Sequence, residues 1–286
     1  MLLIADSGST KTDWRLIGAD GEIISNIKTE GLNPYFLTVD EIASIIAKKV
    51  VPKVQQVEHV FFYGAGCGII QKAQQVKSAI QKAMPFLLQT EVSGDILGAA
   101  RSLLQDRPGI ACILGTGANS CIYNGKTITE NVPSLGYIMA DWGSGTVLSK
   151  ELVALVLQEK LPKEILDDFH DTYDLTRMEI LDSIYNKPMA NRFLASFTPF
   201  LLKHAYEPEC YQIIISNFKQ FFDYYVNRYE NFRSHMKVHI TGSVAYYFRG
   251  FVLEAASKMD ISLGEIIQHP MDGLIDYHLL TYHLQK

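Results

Sequence analysis

Two stretches of the sequence, LLIADSGSTKTD at residues 2–13 and ACILGTGANS at residues 111–120, share one pattern. In each, an apolar segment typical of a buried strand runs into a turn of glycine and hydroxyl residues, and another apolar segment follows. Superposed on their glycines, the stretches place Ser7 opposite Thr116 and Gly8 opposite Gly117. Each then reaches a second turn, at 18–21 and at 124–125. The repeat predicts two similar half-molecules that bind one ligand.

The chemistry of the two turns indicates an anionic ligand. Glycine lets the backbone approach a bulky anion, and successive N–H groups in such a turn form an anion-binding concavity. Lys11 either contacts phosphate or is simply solvated. The residues that we expect to bind phosphate are Ser7, Gly8, Ser9, Thr10, Lys11, Gly115, Thr116 and Gly117.

Two carboxylates flank the first turn. Asp6 and Asp13 would repel a phosphate, but they fit if Mg²⁺ is present, because hard divalent cations take carboxylate and phosphate oxygens together. Asp6 is the metal ligand that we expect. The alternative is a pair of plain hairpins whose glycine and aspartate residues only satisfy turn geometry.

The first turn resembles the first phosphate motif of the actin/hexokinase/heat-shock-chaperone superfamily, and residues 114–117 resemble its second phosphate motif. Ile240–Val244, with Gly242 and Ser243, lies where the adenosine motif of that superfamily falls. The closest resemblance is to the N-acetylglucosamine kinase branch, which also contains the ATPase subunits of benzoyl-CoA reductase. Further hallmarks of that branch are residues 31–34, 135–137 and 140–145.

The resemblance implies an α/β, two-lobed ribonuclease H-like fold with a nucleotide cleft between duplicated domains. The expected N-terminal lobe is 1–107, joined by a C-terminal helix at 272–286 that packs back onto it. The expected C-terminal lobe is 108–271, with the second phosphate and adenosine motifs. ATP and Mg²⁺ are the implied cofactors.

Asp95 is the expected general base. It follows a predicted strand and begins a helix, and in the sugar kinases the matching Asp takes the proton from the attacking hydroxyl. Because a helix N-terminus favours a carboxylate, a plain capping role is the alternative.

The expected sugar contacts are Asn33, Asp141, Trp142 and Gly143. Asn33 precedes a proline, which holds it extended, so it is either a hydroxyl ligand or part of an Asn-Pro turn. Asp141 either accepts sugar hydroxyls or caps the helix that follows Ser144. The kinase branch usually shows Gly-Asp-Glu-Gly-Ser-Gly at 140–145, whereas this chain has Ala140 and Trp142. The aromatic ring of Trp142 can stack on the apolar face of a sugar ring, but the replacement of the usual Glu leaves open which sugar binds.

Composition fits a soluble metabolic protein. Of 286 residues, 48% are hydrophobic and 20% charged, and the net charge is −5. The sequence has no run of basic residues, which argues against nucleic acid or an anionic membrane as the main partner. No apolar stretch reaches the ~20 residues that a membrane span requires. The four scattered cysteines predict buried thiols of a reducing cytoplasm. We expect a cytoplasmic homodimer whose partner is a small-molecule sugar.

Periodicity predicts where the helices and strands lie. A capping box at 38–41 opens a helix through Val50. The predicted strands lie at 57–63, 89–92 and 238–241. The predicted helices are one that ends at about Met84 and others at 95–105, 245–259 and 273–284, and the region 144–233 is rich in helix. The segment 207–233 carries aromatic residues at helical spacing, which we assign to core or dimer packing.

Three functions compete. The first is a kinase that passes the γ-phosphate of ATP to a hydroxyl of an amino sugar of the N-acetylglucosamine or glucosamine type. The second is an ATPase activator of an iron–sulfur reductase or dehydratase, which requires cysteines placed as cluster ligands. The third is a non-catalytic nucleotide-binding regulator, against which Asp95 argues. The kinase is the function that the sequence favours.

Overall fold

The computed structural model describes residues 1–54, 56–229 and 235–283 of the chain. The chain divides into two compact units. The first consists of Met1–Arg107, Asn124–Ile128 and the segment from His269 onward, and the second consists of Pro108–Tyr123 and Thr129–Gln268. Predicted positions 230–233 and 284–286 lie outside the described residues.

The first unit contains a five-stranded sheet and four α-helices among its described residues. Its elements are β1 (Leu2–Ser7), β2 (Lys11–Ile17), β3 (Ile23–Glu30), α1 (Val39–Lys49), a 3₁₀ turn (Val51–Lys53), β4 (His59–Gly64), α2 (Ile70–Ala83), β5 (Gln89–Gly94), α3 (Asp95–Leu104) and the last helix, α13 (Met271–His283).

The second unit contains the other sheet and most of the helices. Its elements are β6 (Pro108–Leu114), β7 (Ala118–Asn124), β8 (Ile128–Val132), α4 (Gly136–Met139), α5 (Gly145–Leu157), α6 (Lys163–Tyr173), α7 (Arg177–Tyr185), α8 (Ala190–Ala195), α9 (Thr198–Lys203), α10 (Pro208–Phe221), a π-helical turn (Phe222–Val226), β9 (Val238–Thr241), α11 (Ser243–Tyr247), α12 (Arg249–Ser257) and β10 (Leu263–Ile267).

The two sheets have the same topology. The first has the order β3-β2-β1-β4-β5, and the second, read in the matching direction, has the order β8-β7-β6-β9-β10. In the first, β2 is antiparallel to β1 and β4 is parallel to it; in the second, β9 is parallel to β6. The chain therefore has the duplicated α/β, ribonuclease H-like fold that the sequence predicts.

The central strand β1 is covered on both faces, which explains its uninterrupted apolar sequence. Successive side chains of a strand point to opposite faces. Accordingly, Leu3 and Ala5 belong to the core that includes α1 and α2, whereas Leu2 and Ile4 pack against α13. In the second unit, one large core surrounds β6 and β9 and takes in the predicted aromatic stripe.

Several boundaries differ from the sequence-based prediction. The Thr38 capping box is confirmed, with its reciprocal bonds to Glu41, and β9 is confirmed at both ends. The helix predicted over 245–259 is instead α11 and α12, which meet at Phe248. The strand β10 was not predicted, because the strand with which it pairs, β9, is more than twenty residues away in sequence.

The predicted superposition of the two turns is wrong by two residues. Both loops have three residues, 8–10 between β1 and β2 and 115–117 between β6 and β7. Aligned by the strand ends, Gly8 lies opposite Gly115 and Ser9 opposite Thr116. The match on glycines failed because strand register, rather than residue identity, decides which positions correspond.

The last helix is fixed to the first unit by a buried polar network. The His278 ring stacks on Phe61 with 3.9 Å between centroids, and His278 Nε2 is 2.8 Å from the Tyr63 hydroxyl. Tyr63 Oη also accepts from Arg101 Nη1 at 2.6 Å, and Arg101 Nη1 donates to Glu91 at 2.7 Å. Burial, with the nearby positive charge of Arg101, lowers the pKa of His278 to about 3.

Among the described residues, no helix is long and apolar enough to span a bilayer.

We expect acid to destabilise the protein through His278. An unfolded histidine has a pKa near 6.5, whereas the folded protein resists protonation of His278 until the pH approaches about 3. Neutral His278 therefore makes its full contribution to the free energy of unfolding above pH 6.5, and this contribution is lost as the pH falls toward 3. By pH 5 the free energy of unfolding is lower by about 2 kcal/mol. Urea unfolding at pH 7 and pH 5 measures this difference.

The matched variant for this measurement is His278→Asn. It should be less stable than wild type at pH 7, because the stacking on Phe61 is lost, but its stability should fall less between pH 7 and pH 5. An equal fall in both proteins would assign the acid sensitivity to other groups.

Candidate active site

The first loop is held by a buried hydroxyl pair. Ser7 Oγ lies 2.7 Å from Thr12 Oγ1 and accepts a hydrogen bond from the Leu32 N–H at 3.1 Å. Ser7, predicted as a phosphate ligand, is 1% exposed, so its hydroxyl braces the loop. Ser9 is half-buried and Thr10 is exposed, and these hydroxyls make no hydrogen bond with the described residues.

Gly31 brings the next segment against this loop. Its N–H donates to the Thr10 carbonyl at 3.1 Å. A Cβ at this position would lie 2.5 Å from the carbonyl oxygens of both Gly8 and Ser9, closer than real Cβ atoms approach. Only glycine allows this contact, so the segment beginning at Gly31 is coupled to the first loop through the backbone.

Asn33, two residues later, uses only half of its amide. It is 8% exposed, and its Oδ1 accepts from the Tyr35 N–H at 2.9 Å. The Asn-Pro turn therefore accounts for the role of the Asn33 Oδ1 atom as an acceptor. The Nδ2 group makes no hydrogen bond with the described residues, so Asn33 retains its donor, while one lone pair of Oδ1 is engaged in the turn.

Three carboxylates influence one another at the end of β1. Burial and the negative charges of Asp95 and Asp13 together raise the pKa of Asp6 to about 7, against an opposing effect of the positive charge of Lys11. Asp13 is paired with Lys11 and with Arg15, each at 3.6 Å. Asp6 accepts no hydrogen bond from the described residues. A partly buried carboxylate with like charges nearby is stabilised by a cation.

Asp95 lies at the same edge of the sheet as Asp6. Asp6 is in register with Tyr63 of β4, and Tyr63 is in register with Ser93 of β5. Asp95 follows β5 as the first residue of α3, and Gly94 occupies the N-cap position. Asp95 Oδ1 accepts from the Ile96 N–H at 2.9 Å, which is the contact of a first-turn acid rather than that of an N-cap side chain.

The donor set suits Mg²⁺ bound together with phosphates. No group of three His, Cys, Asp or Glu side chains in the described parts of the chain could hold a metal ion by itself. Mg²⁺ is usually bound by one or two carboxylates, with waters and substrate phosphates completing its octahedron. Asp6 fits that role, because its pKa is raised and no hydrogen bond to it is donated by the part of the chain that the structure describes.

The second loop is braced by the start of α5. Gly145 N donates to the Gly115 carbonyl at 2.8 Å, and Thr146 Oγ1 donates to the Thr116 carbonyl at 2.6 Å. These contacts occupy loop carbonyls on the side facing α5. The hydroxyl of Thr116 makes no hydrogen bond with the described residues, which matches Ser9 at the corresponding position of the first loop.

Asp141 is a buried carboxylate in a strained backbone position. Its φ is +60°, it is 6% exposed, and its Oδ1 accepts from Ser134 Oγ at 3.1 Å and from the Tyr225 hydroxyl at 3.3 Å. Burial raises its pKa, and these donors oppose that rise. The cap of α5 is the Ser144 side chain, which accepts from Val147 N, so the capping alternative for Asp141 is not what the contacts show.

The neighbours of Asp141 have different environments. Trp142 is half-buried, and its ring lies 4.7 Å from that of Tyr224. Gly143 has a φ of +77° and is buried against Phe221, so its conformation and packing both require glycine.

Gly242 and Ser243, the predicted adenosine motif, join β9 to α11. Gly242 has a φ of +130°, and a Cβ there would meet the Leu114 carbonyl oxygen at 2.2 Å. Gly242 therefore lies directly against the strand end that precedes the second loop. Ser243 is exposed.

Ser134 and Tyr225 were not predicted as site residues. Tyr225 is 84 positions away from Asp141, and it was predicted only as one of the aromatic packing residues of the segment 207–233. The available signal was chemical: a buried tyrosine hydroxyl usually finds a hydrogen-bond partner, so a tyrosine within an aromatic stripe identifies a nearby polar group.

The chain is similar over almost its whole length to solved structures of sugar kinases. A candidate N-acetylglucosamine kinase from Porphyromonas gingivalis is 40% identical with a TM-score of 0.94, and the match covers 99% of this chain and 100% of the other. One from Chromobacterium violaceum is 16% identical with a TM-score of 0.74, covering 96% and 98%.

A glucokinase of the ROK family from Streptomyces griseus, solved with glucose and AMPPNP, is 14% identical with a TM-score of 0.60, covering 97% and 98%. At this identity, and at that of the C. violaceum protein, the likeness concerns the fold alone. No protein-family model matches the chain, and no curated protein sequence matches it. The 40% identity over the full P. gingivalis chain shows that the protein belongs to the N-acetylglucosamine kinase-like family of the actin/hexokinase/heat-shock-chaperone superfamily, a family of phosphotransferases with an alcohol group as acceptor.

Proposed function

We propose that the protein transfers the γ-phosphate of ATP to a hydroxyl of an amino sugar of the N-acetylglucosamine or glucosamine type. The observation that carries this proposal is the carboxylate pair Asp6 and Asp95 at one sheet edge, beside a loop whose Ser9 and Thr10 hydroxyls make no hydrogen bond with the described residues. The family supports the sugar, and the glucokinase that shares the fold was solved with a sugar and an ATP analogue.

Asp95 is the proposed base. It takes the proton of the attacking sugar hydroxyl as the new P–O bond forms and the bond to the leaving ADP breaks, in the manner of the catalytic Asp of other kinases. Asp6 is the residue that would hold Mg²⁺, whose chemistry when bound is to neutralise phosphate charge. In this proposal, loop residues 8–11 and 115–117 bind phosphate through the Ser9, Thr10 and Thr116 hydroxyls, the Lys11 ammonium and backbone N–H groups other than those of Gly8 and Gly115, which donate within their own loops. Gly242 and Ser243 lie against adenosine.

Asn33 and Asp141 are the proposed sugar ligands. Asn33 donates from Nδ2, and Asp141 accepts sugar hydroxyls, with Trp142 and Gly143 beside it. The departure at Trp142 replaces a carboxylate with an aromatic ring, so it acts on the choice of hexosamine rather than on the transfer itself.

The iron–sulfur activator has no support in the contacts. All four cysteines are buried, Cys67 at 3% exposure and Cys112, Cys121 and Cys210 at 0%. Burial raises the pKa of each thiol, which disfavours the thiolate that a cluster ligand must be.

The direct test is a coupled ADP-release assay with MgATP and a panel of amino and neutral sugars. We expect turnover with an N-acetylhexosamine or hexosamine and none in excess chelator. Asp6→Asn should abolish turnover, whereas its melting temperature should stay level or rise, because the amide removes the repulsion from Asp95 and Asp13. Asp20→Asn, at an exposed hairpin, is the matched control. Sugar-dependent turnover in excess chelator would rule out the metal role.

Asp95→Asn tests the base. A positioned base contributes about 10²–10⁴-fold, so kcat for the sugar should fall by that order while the KM for ATP hardly changes. Asp272, an exposed acid in the first turn of α13, provides the control variant Asp272→Asn. If Asp95→Asn lowers the melting temperature and leaves kcat intact, Asp95 only stabilises its helix.

Asn33→Asp separates the two roles of Asn33. The aspartate keeps an oxygen for the Tyr35 N–H and loses the Nδ2 donor, so the turn survives while a sugar hydrogen bond is lost. A missing partner costs about 1–3 kcal/mol, which is roughly 5- to 150-fold in the KM for the sugar. The KM for ATP and the melting temperature should be close to wild type; an unchanged sugar KM would leave Asn33 as a turn residue.

A further inference from the structure

A π-helical turn interrupts the long helical segment that follows α10. It spans Phe222–Val226, and Asn227 N donates to the Phe222 carbonyl at 2.8 Å, five residues earlier. Such turns are uncommon, and they occur frequently at functional sites. The extra residue in the turn changes the direction of the side chains, and two consecutive tyrosines, Tyr224 and Tyr225, contact two consecutive residues, Trp142 and Asp141.

The turn is attached to the second sheet. Ser120 Oγ, on β7, donates to the Tyr225 carbonyl at 3.0 Å and lies 2.9 Å from the Tyr229 hydroxyl. Tyr229 Oη in turn accepts from the Val132 N–H, at the end of β8, at 3.0 Å. The position of Tyr225 is therefore fixed by strand β7 independently of its own hydroxyl.

The Tyr225 hydroxyl acts on one oxygen of Asp141. Both Tyr225 Oη and Ser134 Oγ donate to Oδ1. The other oxygen, Oδ2, lies against Gly117, 3.1 Å from where a Cβ of that residue would be. The two hydroxyls thus orient the carboxylate so that Oδ1 is engaged on the protein side and Oδ2 faces the second phosphate loop. This orientation is held although the backbone of Asp141 has a positive φ.

We propose that Tyr225, held by the π-helical turn, is the positioning residue for the Asp141 carboxylate, so that it controls how the acceptor hydroxyls are selected. This inference rests on the proposed function for the sugar, but the orientation of Asp141 does not. Tyr225 touches no substrate in this scheme; it acts through Asp141, and Tyr224 supports Trp142 in the same way.

The test compares Tyr225→Phe with Tyr229→Phe. Both remove one buried hydroxyl from the same segment, and both hydroxyls are within hydrogen-bond distance of another group, so both variants should lose melting temperature. Only Tyr225→Phe should raise the KM for the sugar, by roughly 5- to 10-fold, with the KM for ATP unchanged. Equal sugar KM values in the two variants would overturn the positioning role.

A second readout does not depend on kinase activity. Carboxyl ¹³C titration of Asp-labelled protein, with Asp141 assigned from Asp141→Asn, reports the pKa of Asp141. Because the Tyr225 hydroxyl donates to the charged form, Tyr225→Phe should raise that pKa, and Tyr229→Phe should not. In the second unit, Tyr225 is the titratable group that acts on Asp141, alongside the non-titrating Ser134 hydroxyl and Ala118 N–H.

The two proposals fail separately. If wild type phosphorylates no sugar but the pKa of Asp141 rises in Tyr225→Phe alone, the proposed function is wrong and the positioning of Asp141 is right. If sugars are phosphorylated but the pKa and the sugar KM are the same in both phenylalanine variants, the proposed function survives and the positioning role of Tyr225 does not.

Discussion

Apolar cover on both faces of β1 determines where polar chemistry occurs in the first unit. Leu2 and Ile4 are buried against α13, and Leu3 and Ala5 against the opposite core, so a polar group inside the strand would lack water on either side. Asp6 and Ser7, at the carboxyl end, are the first polar side chains after this run. The loop that follows is then stabilised by neighbours rather than by its own sequence: Ser7 bonds to Leu32 N, and Gly31 packs against the carbonyls of residues 8 and 9.

The carboxylates at this strand end are placed at a cost to stability, because burial and like charges disfavour the ionised form of Asp6. The negative charges of Asp95 and Asp13 raise the pKa of Asp6, and Asp13 also pairs with Lys11 and Arg15. Active sites commonly retain such unfavourable local arrangements, at the expense of stability, because a bound ligand resolves them.

Local sequence was sufficient to predict the elements whose determinants are local. The Thr38 capping box, the short strand before Gly242 and the glycine-rich hairpins were found because cap and turn residues lie within a few positions of one another. The strand β10 and the break at Phe248 depend on packing against distant elements, so no local pattern specifies them. The same limit applies to the site: the pattern identified Asp141, but its partner Tyr225 is joined to it only by tertiary structure, and the inward orientation of the Ser7 hydroxyl depends on Leu32.

The docking of α13 has a consequence for biosynthesis. The first unit is discontinuous, because its sheet precedes residue 107 and its covering helix follows residue 269, whereas the second unit is almost continuous between them. At about 5–20 residues per second, translating the roughly 160 intervening residues leaves Leu2, Ile4 and Ile17 without α13 for ~10–30 s. During that interval, an apolar sheet face in the nascent chain is open to chaperones, and the second unit can fold before the first is complete.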